Sequence, residues 1–295
     1  MHREWEKIME TQTKRSADES DVENIQEKNR QWWTDHTMSY DWKDKVTKER
    51  FTDEWFDEID RRFIYGSRLF AHDKRPFDRI IPFKAIAGRD VLEIGCGMGF
   101  HTELMVRAGA RISSVDISET SIAATNRRLE LRGLQGDVKR MDARALEFPE
   151  ASFDFVWSWG VIHHSAQTAV IIREIARVLR PRGEMRIMVY NLDGMSAYYS
   201  IIRSYLFGFW HGRSIDEGLW KRADGFMARH YTKDMLSDIA RLFFSKIKIE
   251  TFGQDADGVP LPSQIRPLII AMMGQAALAK RSNAHGSFLF LTAGK

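Results

Sequence analysis

The stretch that decides the fold is Val91-Leu92-Glu93-Ile94-Gly95-Cys96-Gly97-Met98-Gly99-Phe100. An apolar run ends in an acid and three glycines, and an apolar stretch with helical character follows. This pattern is typical of the first strand, tight turn and helix start of an open parallel sheet. Glycines without a Cβ let the backbone approach a ligand, and the helix N-terminus presents unpaired N–H groups. The stretch therefore predicts a small-molecule site at the end of the first strand.

The spacing of the glycines narrows the class of ligand. In the dinucleotide fingerprint G-x-G-x-x-G, which binds a pyrophosphate, the third glycine would stand at Phe100. Here the spacing is G-x-G-x-G, and Glu93 precedes it. A carboxylate would repel a diphosphate but attract the amino group of an amino-acid-like cofactor. We therefore predict that Glu93 binds an ammonium group and that the ligand is surrounded by Gly95, Cys96, Gly97 and Gly99.

Two further acids stand at the ends of later predicted strands. Asp116 closes the strand 112–116, roughly 20 residues after the turn, where a doubly wound fold places a carboxylate against ribose hydroxyls. Asp142 follows a short strand around Val138 and can either accept the exocyclic amine of adenine or cap a helix N-terminus. With their neighbours Ile117 and Ala143, these acids predict a nucleoside-containing cofactor, because a ribose contact does not distinguish one nucleoside from another.

The segment Phe153-Asp154-Phe155-Val156-Trp157-Ser158-Trp159-Gly160-Val161-Ile162-His163-His164 predicts a buried fourth strand that breaks at Gly160 into a loop. Ligands bind outside the carboxyl ends of such strands, so this loop faces the same crevice as the glycine turn. We expect Ser158 and Trp159 to contact the cofactor. His163 and His164 are candidate general bases, or they satisfy loop carbonyls. The rival bases or orienting groups are Tyr40, Tyr190, His230 and Tyr231.

Over about residues 85–191 the motifs occur in one order: the glycine turn, Asp142, Phe153-Asp154, the Trp159–His164 loop and Val178-Leu179-Arg180-Pro181. This order resembles class I S-adenosylmethionine (SAM) dependent methyltransferases of the ubiquinone and menaquinone C-methyltransferase type (methyltransferase type 11). The resemblance implies SAM as cofactor and S-adenosylhomocysteine (SAH) as product. It implies an α/β, Rossmann-like fold with a seven-stranded, mostly parallel sheet, helices on both faces, and a last strand, 288–292, antiparallel inside it.

Missing features narrow the acceptor. The fourth strand lacks the Asn/Asp-Pro-Pro-aromatic exit of methyltransferases that act on planar amino groups, and no carboxylate cluster follows it. Adjacent histidines cannot comfortably ligate one metal ion, so we predict no metal. No Tyr-x-x-x-Lys motif supports a short-chain dehydrogenase.

Composition divides the rest of the chain into five parts. We predict a polar N-terminal arm (1–30), an aromatic helical cap (31–80), the SAM-binding Rossmann-like core (81–191), a lid or substrate insertion with a helix (192–243), and the last two strands with a helical insertion (244–295). In the cap, Trp33, Tyr40 and Trp42 either form one wall of a substrate pocket or pack against the sheet. Residues 265–278 are predicted to form a single helix.

The 295 residues carry a net charge of +3 and one cysteine, Cys96. This charge is too small to indicate a nucleic-acid partner, and one cysteine fits a reducing, cytoplasmic compartment with Cys96 in a structural role. No stretch reaches the roughly 20 apolar residues of a membrane span, although 195–210 could contact a membrane peripherally. We expect a homo-oligomer that methylates oxygen or carbon of a small, partly apolar metabolite. Alternatives are a methyltransferase of a sugar or lipid-linked glycan at the membrane surface, and a non-catalytic SAM or nicotinamide sensor.

Overall fold

The computed structural model describes residues 19–40, 45–71, 75–206, 218–219 and 223–295. Its centre is one sheet of eight strands, in which seven follow the order β3-β2-β1-β4-β5-β8-β7 and the two-residue β6 pairs with β5. The strands are β1 Asp90–Ile94, β2 Arg111–Asp116, β3 Asp137–Arg140, β4 Phe153–Trp159, β5 Leu179–Asn191, β6 His230–Tyr231, β7 Lys246–Phe252 and β8 Phe288–Gly294. The predicted seven-stranded fold is confirmed, with β6 as a short addition.

The strand order reverses between β1 and β4, since β1 pairs in parallel with both β2 and β4. The connections that leave these two strands diverge, which opens a crevice at their carboxyl ends. β8 pairs antiparallel with β5 and β7, as predicted. Its first residue, Phe288, therefore pairs with Tyr190 at the same edge of the sheet as the crevice.

Helices and short 3₁₀ turns cover the sheet. The helices are α1 Glu19–Asp35, α2 Asp53–Gly66, α3 Phe83–Ile86, α4 Phe100–Arg107, α5 Glu119–Leu131, α6 Thr168–Val178, α7 Met195–Leu206, α8 Lys233–Arg241, α9 Asp255–Gly258, α10 Arg266–Met273 and α11 Gln275–Ala284. The 3₁₀ turns are Arg68–Phe70 and Ile162–His164. Among the described residues, no helix combines the length and the apolarity that a membrane crossing requires.

Helix α2 of the predicted cap is docked on the core by a buried arginine. Thr52 caps the helix by accepting a hydrogen bond from Trp55 N, and Phe56 is buried on its inner face. The guanidinium of Arg128, fully buried on α5, binds Asp60 of α2 and Glu103 of α4 and lies 4.7 Å from the Phe56 ring centroid. A buried cation with two carboxylates fixes the cap at one position, because separating them would leave an unpaired charge in the interior.

The structure differs from the sequence predictions in two helices. α1 continues without a break through residues 30 and 31, the predicted boundary between arm and cap, and it buries Gln26 and Asn29 against the core. The single helix predicted over 265–278 is two helices, because Gly274 between them has φ +81°. Trp42 and residues 207–210 of the predicted insertion lie outside the described residues.

Candidate functional site

A cavity of about 540 Å³ lies at the carboxyl edge of the sheet, where the strand order reverses. One side, here called the glycine side, follows the ends of β1, β2 and β3 and contains Gly95, Cys96, Gly97, Asp116, Ile117, Asp142 and Ala143. The other, here called the aromatic side, contains Tyr40, Phe63, Phe70, Trp159, Tyr190 and Phe288. The volume of the whole cavity falls within the 300–1,000 Å³ typical of small-molecule sites.

The glycine turn is held by backbone bonds and needs glycine at Gly95. The Gly95 amide donates to Val115 O at 2.7 Å, and its φ is +81°. A Cβ built there would lie 2.1 Å from Val161 Cγ2, so no other residue fits without movement of the β4 loop. At Gly97, by contrast, a Cβ would meet nothing within 4 Å, because this backbone borders the open cavity. Gly99 does not line the cavity; it packs against Thr125 and Arg128 of α5.

The carboxylates of Asp116 and Asp142 both lie on the glycine side. Asp116 accepts hydrogen bonds from the backbone amides of Ser118 at 2.9 Å and Gly97 at 3.0 Å. Burial raises the pKa of Asp116, and these amides oppose the rise. Asp142 accepts from the Arg144 amide at 2.9 Å and also from Gln26 Nε2 at 3.2 Å. Since no helix starts at Asp142, it caps a turn and keeps its carboxylate at the cavity.

Glu93 does not reach the cavity, and the structure contradicts its predicted role in binding an ammonium group. Its side chain is 1% exposed and accepts hydrogen bonds from the hydroxyls of Thr102 and Ser114. Alternate residues of β1 face opposite sides of the sheet, so Glu93 shares the face of Val91, under α4. Burial raises the pKa of Glu93 to about 8.

Two more residues that were predicted to bind the cofactor, Ser158 and Cys96, have structural roles. Ser158 is fully buried and donates to Ile94 O at 3.1 Å, which ties β4 to β1 instead of contacting the cavity. Cys96 borders the cavity, but burial raises the pKa of its thiol well above the usual value. A buried, protonated thiol is a poor nucleophile, which favours the structural role predicted for Cys96.

Of the two histidines predicted in the loop after β4, His164 is the one that lines the cavity. Its Nδ1 lies 2.7 Å from Met227 O. Because a carbonyl can only accept, Nδ1 carries the hydrogen and Nε2 keeps its lone pair. Burial lowers the pKa of His164 to about 4, so the ring is neutral at neutral pH. His163 is fully buried off the wall, with ring centroids 4.2 Å from His164, and burial holds its pKa far below the usual value.

The tyrosine candidates fall into two groups. Tyr40 and Tyr190 line the cavity, and burial raises the pKa of both phenols, so they remain protonated hydrogen-bond donors. Tyr231 packs in the core and donates to Thr168 Oγ1 at 2.8 Å, which contradicts its predicted catalytic role. His230 pairs with Tyr190 between β6 and β5, with ring centroids 5.3 Å apart, but lies off the wall.

The cavity wall also contains residues that were not among the predicted site residues: Gln26, Asn29, His101 and Asp224. Burial raises the pKa of Asp224, and its charge acts on Tyr40 and Tyr190. No spacing motif marks these positions, because they come from α1, α4 and the loop before β6. The cue for Gln26 and Asn29 is their i, i+3 spacing, which puts both amides on one face of a helix. Within the described ranges, no group of three His, Cys, Asp or Glu could hold a metal ion.

Residues 92–187 match a family model described as a methyltransferase domain. The chain is similar to the ubiquinone biosynthesis O-methyltransferase of Parvibaculum lavamentivorans, with 30% identity over 190 residues, 63% of this chain and 70% of that protein. A protein of the same name from Methylocella silvestris is 31% identical over 157 residues, 53% of this chain but only 60% of its own length.

The fold is similar to the crystal structure of a SAM-dependent methyltransferase, possibly a histamine N-methyltransferase, from Thermotoga maritima. That similarity has a TM-score of 0.51 and 17% identity, and it covers 83% of this chain and 98% of the other. At this identity the likeness bears on the fold alone.

Proposed function

The chain belongs to the class I SAM-dependent methyltransferases, and from this membership we propose that it transfers a methyl group to a hydroxyl on a small, partly apolar, ring-bearing molecule. SAM is the cofactor of this family, and when bound it supplies an electrophilic methyl group on a sulfonium that needs no acid to leave. The finer assignments of acceptor and base rest on the geometry of the aromatic side.

The glycine side fits the cofactor. Asp116 keeps lone pairs for ribose hydroxyls beyond its two backbone donors, and Asp142 offers a carboxylate for the adenine amine. Gly97 leaves its cavity face free of any side chain, so a ligand can approach the backbone there. Charge-assisted hydrogen bonds of this kind each contribute about 1.5–3 kcal/mol.

The aromatic side fits a flat, apolar acceptor. Tyr40 stacks on Phe63 with centroids 4.8 Å apart, and Phe70 meets the Trp159 ring edge-on at 5.1 Å. Such rings bind another ring through its faces and edges. The similar proteins of P. lavamentivorans and M. silvestris are named as ubiquinone biosynthesis O-methyltransferases, which supports a phenolic hydroxyl as the acceptor.

The tautomer of His164 carries the proposal. Met227 O holds the hydrogen on Nδ1, so Nε2 is the nitrogen that can take the acceptor's proton. As the proton moves from the hydroxyl to Nε2, the Met227 carbonyl stabilises the charge on the imidazolium. Tyr40 and Tyr190 donate hydrogen bonds to the acceptor, and Asp224 accepts one from a second, neighbouring hydroxyl of a catechol. Holding the oxygen in line with the methyl group supplies most of the rate, and the base adds about 10²–10⁴-fold.

The test is His164→Asn, whose amide nitrogen replaces Nδ1 as donor to Met227 but lacks a base. With a panel of catechols that carry an apolar arm, SAH release by the wild-type chain is expected, and kcat of the variant should fall by about 10²–10⁴-fold with the SAM Kd unchanged. Wild-type activity should be lost as pH falls through about 4, where His164 gains a proton. Tyr231→Phe is the matched control. Near-normal kcat in the variant, or no turnover of any catechol, would refute the proposal.

A second candidate acceptor is a sugar or lipid-linked glycan at a membrane surface. It is favoured by Tyr198, Tyr199 and Ile202 on α7, which are 50%, 62% and 56% exposed. If α7 contacts lipid, the full chain should sediment with vesicles that contain anionic lipid, and serine at these three positions should abolish sedimentation. A wild-type chain that stays in the supernatant would exclude this candidate.

A further inference from the structure

Helix α1 places two buried amide side chains on the cavity wall. Gln26 is 6% exposed and Asn29 is 4% exposed. Asn29 Nδ2 donates to His164 O at 2.8 Å, and Gln26 Nε2 donates to Asp142 Oδ2 at 3.2 Å. Each amide therefore has its nitrogen engaged by the core.

These bonds fix which way each amide points. A backbone carbonyl and a carboxylate accept hydrogen bonds but do not donate them, so the NH₂ groups must face His164 O and Asp142. The carbonyl oxygens, Asn29 Oδ1 and Gln26 Oε1, are buried and have no hydrogen-bond partner among the described residues. A buried acceptor without a donor destabilises the fold, so a ligand that brings N–H groups would remove this cost.

The two amides are bound to different parts of the crevice. Asn29 is tied to the loop after β4, whereas Gln26 is tied to Asp142, which follows β3. Between β3 and β4 in the sheet lie β2 and β1, which end in Asp116 and the glycine turn. An adenosine cofactor with an amino-acid arm carries N–H groups at both of its ends. Glu93 does not reach the cavity, so it binds neither end.

We propose that α1 binds both amino groups of SAM: Asn29 Oδ1 accepts from the α-ammonium, and Gln26 Oε1, beside Asp142, accepts from the adenine 6-amino group. The inference rests on SAM as the cofactor in the proposed function but not on the acceptor or the base. It gives the N-terminal helix a direct role in cofactor binding, and it replaces the ammonium contact that Glu93 does not make.

The test measures binding of three ligands by calorimetry without any acceptor. They are SAH, a des-amino SAH that lacks the α-amino group, and the inosine analogue, in which a carbonyl oxygen replaces the adenine amine. Asn29→Ala should weaken SAH by about 10-fold and the inosine analogue equally, but leave the affinity for des-amino SAH unchanged. Gln26→Ala should weaken SAH and des-amino SAH but not the inosine analogue. Gln31→Ala, an exposed amide on the same helix, is the matched control and should change nothing.

A structural effect of either substitution would weaken all three ligands by the same factor, and that result would overturn the inference. If the wild-type chain binds SAH but neither variant loses affinity for a particular ligand, the inference would also be overturned, and the proposed function would stay intact. Failure of the wild-type chain to bind SAH would overturn both. Loss of turnover in His164→Asn would support the proposed function, and the expected binding pattern in the Asn29 and Gln26 variants would independently support the role of α1.

Discussion

The glycine side and the aromatic side of the cavity are assembled in different ways. On the glycine side, the contacts come from strand ends and turns within residues 95–143. On the aromatic side, the wall joins segments as distant as Tyr40, Trp159, Tyr190 and Phe288. The first depends on local backbone conformation, and the second forms only when the cap, the sheet and the last strand have packed together. The glycine side is thus encoded mainly in local motifs, whereas the aromatic side depends on the whole fold.

The two sides also differ in how they treat charge. On the glycine side burial also raises the pKa of Asp116, but the backbone amides of Gly97 and Ser118 donate to its carboxylate and oppose the rise. On the aromatic side, burial shifts the pKa of each titrating wall group toward its neutral form: down for His164, up for Tyr40, Tyr190 and Asp224. The neutral imidazole of His164 keeps a lone pair on Nε2, and a general base must have such a lone pair to take a proton.

The largest effect is expected from Gly95→Ala, which attacks the glycine side. The new Cβ would lie 2.1 Å from Val161 Cγ2 on a backbone with φ +81°. We expect a loss of about 2–4 kcal/mol in the free energy of unfolding. We also expect a roughly 100-fold rise in the SAH Kd, since relief requires the turn to move. Chemical denaturation and calorimetry measure the two.

The control for Gly95→Ala is Gly133→Ala. Gly133 also has a positive φ, +61°, but a Cβ there meets nothing within 4 Å, so only the backbone strain is introduced. The control should lose about 1–2 kcal/mol of stability and none of its affinity for SAH. Equal Kd values for the two variants would mean that the turn does not contact the cofactor.

A smaller effect, confined to the aromatic side, is expected from Asp224→Asn. Asp224 lies on the wall, and no ion pair to it occurs in the described part of the chain, so an acceptor hydroxyl is its natural donor. The amide is a weaker acceptor than a carboxylate, and kcat/KM for the phenol should fall about 10-fold, mainly through KM. The SAM Kd should not change. Steady-state kinetics and calorimetry separate the two, with the exposed Asp238→Asn as control.

A change in SAM affinity as large as the change in KM would contradict the division into two sides. It would mean that the loop before β6 closes on the cofactor as well as on the acceptor. Unchanged kinetics in Asp224→Asn would remove Asp224 from the acceptor site while leaving the role of His164 to its own test.

Most of the fold and most of the glycine side could be predicted from the sequence. The glycine turn, Asp116 and Asp142 follow strands at spacings that a parallel sheet requires, and all three lie at the cavity. The last strand was also predicted to be antiparallel inside the sheet, and β8 pairs antiparallel with both β5 and β7.

The remainder depends on packing that no local pattern encodes. Residues up to 30 are too polar to indicate a core helix, yet α1 docks through Gln26 and Asn29. These two amides bind partners that are more than 100 residues away in the sequence, Asp142 and His164 O. Tyr231 and His164 are both aromatic residues near a strand end. Only the fold shows that the Tyr231 hydroxyl binds Thr168, whereas the His164 ring lines the cavity.

The smallest effect on binding is expected from Glu93→Gln, which sharpens the comparison by removing an acid that only resembles a ligand-binding group. Its carboxyl is buried under α4, bonded to Thr102 and Ser114, and its pKa is raised to about 8 from a usual 4.5. SAH affinity should therefore stay unchanged.

The same substitution should change how stability depends on pH. The folded wild-type chain holds a proton that the unfolded chain has lost above pH 4.5, so its stability falls as pH rises to about 8. The Gln variant lacks this loss, and its free energy of unfolding relative to wild type should rise by about 2 kcal/mol between pH 6 and 8. Denaturation at several pH values measures the slope, and Ser114→Ala tests the hydrogen bond alone. A weaker SAH affinity in Glu93→Gln would restore Glu93 to the cofactor site, whereas a parallel pH dependence in both chains would show that Glu93 is ionised in the folded state.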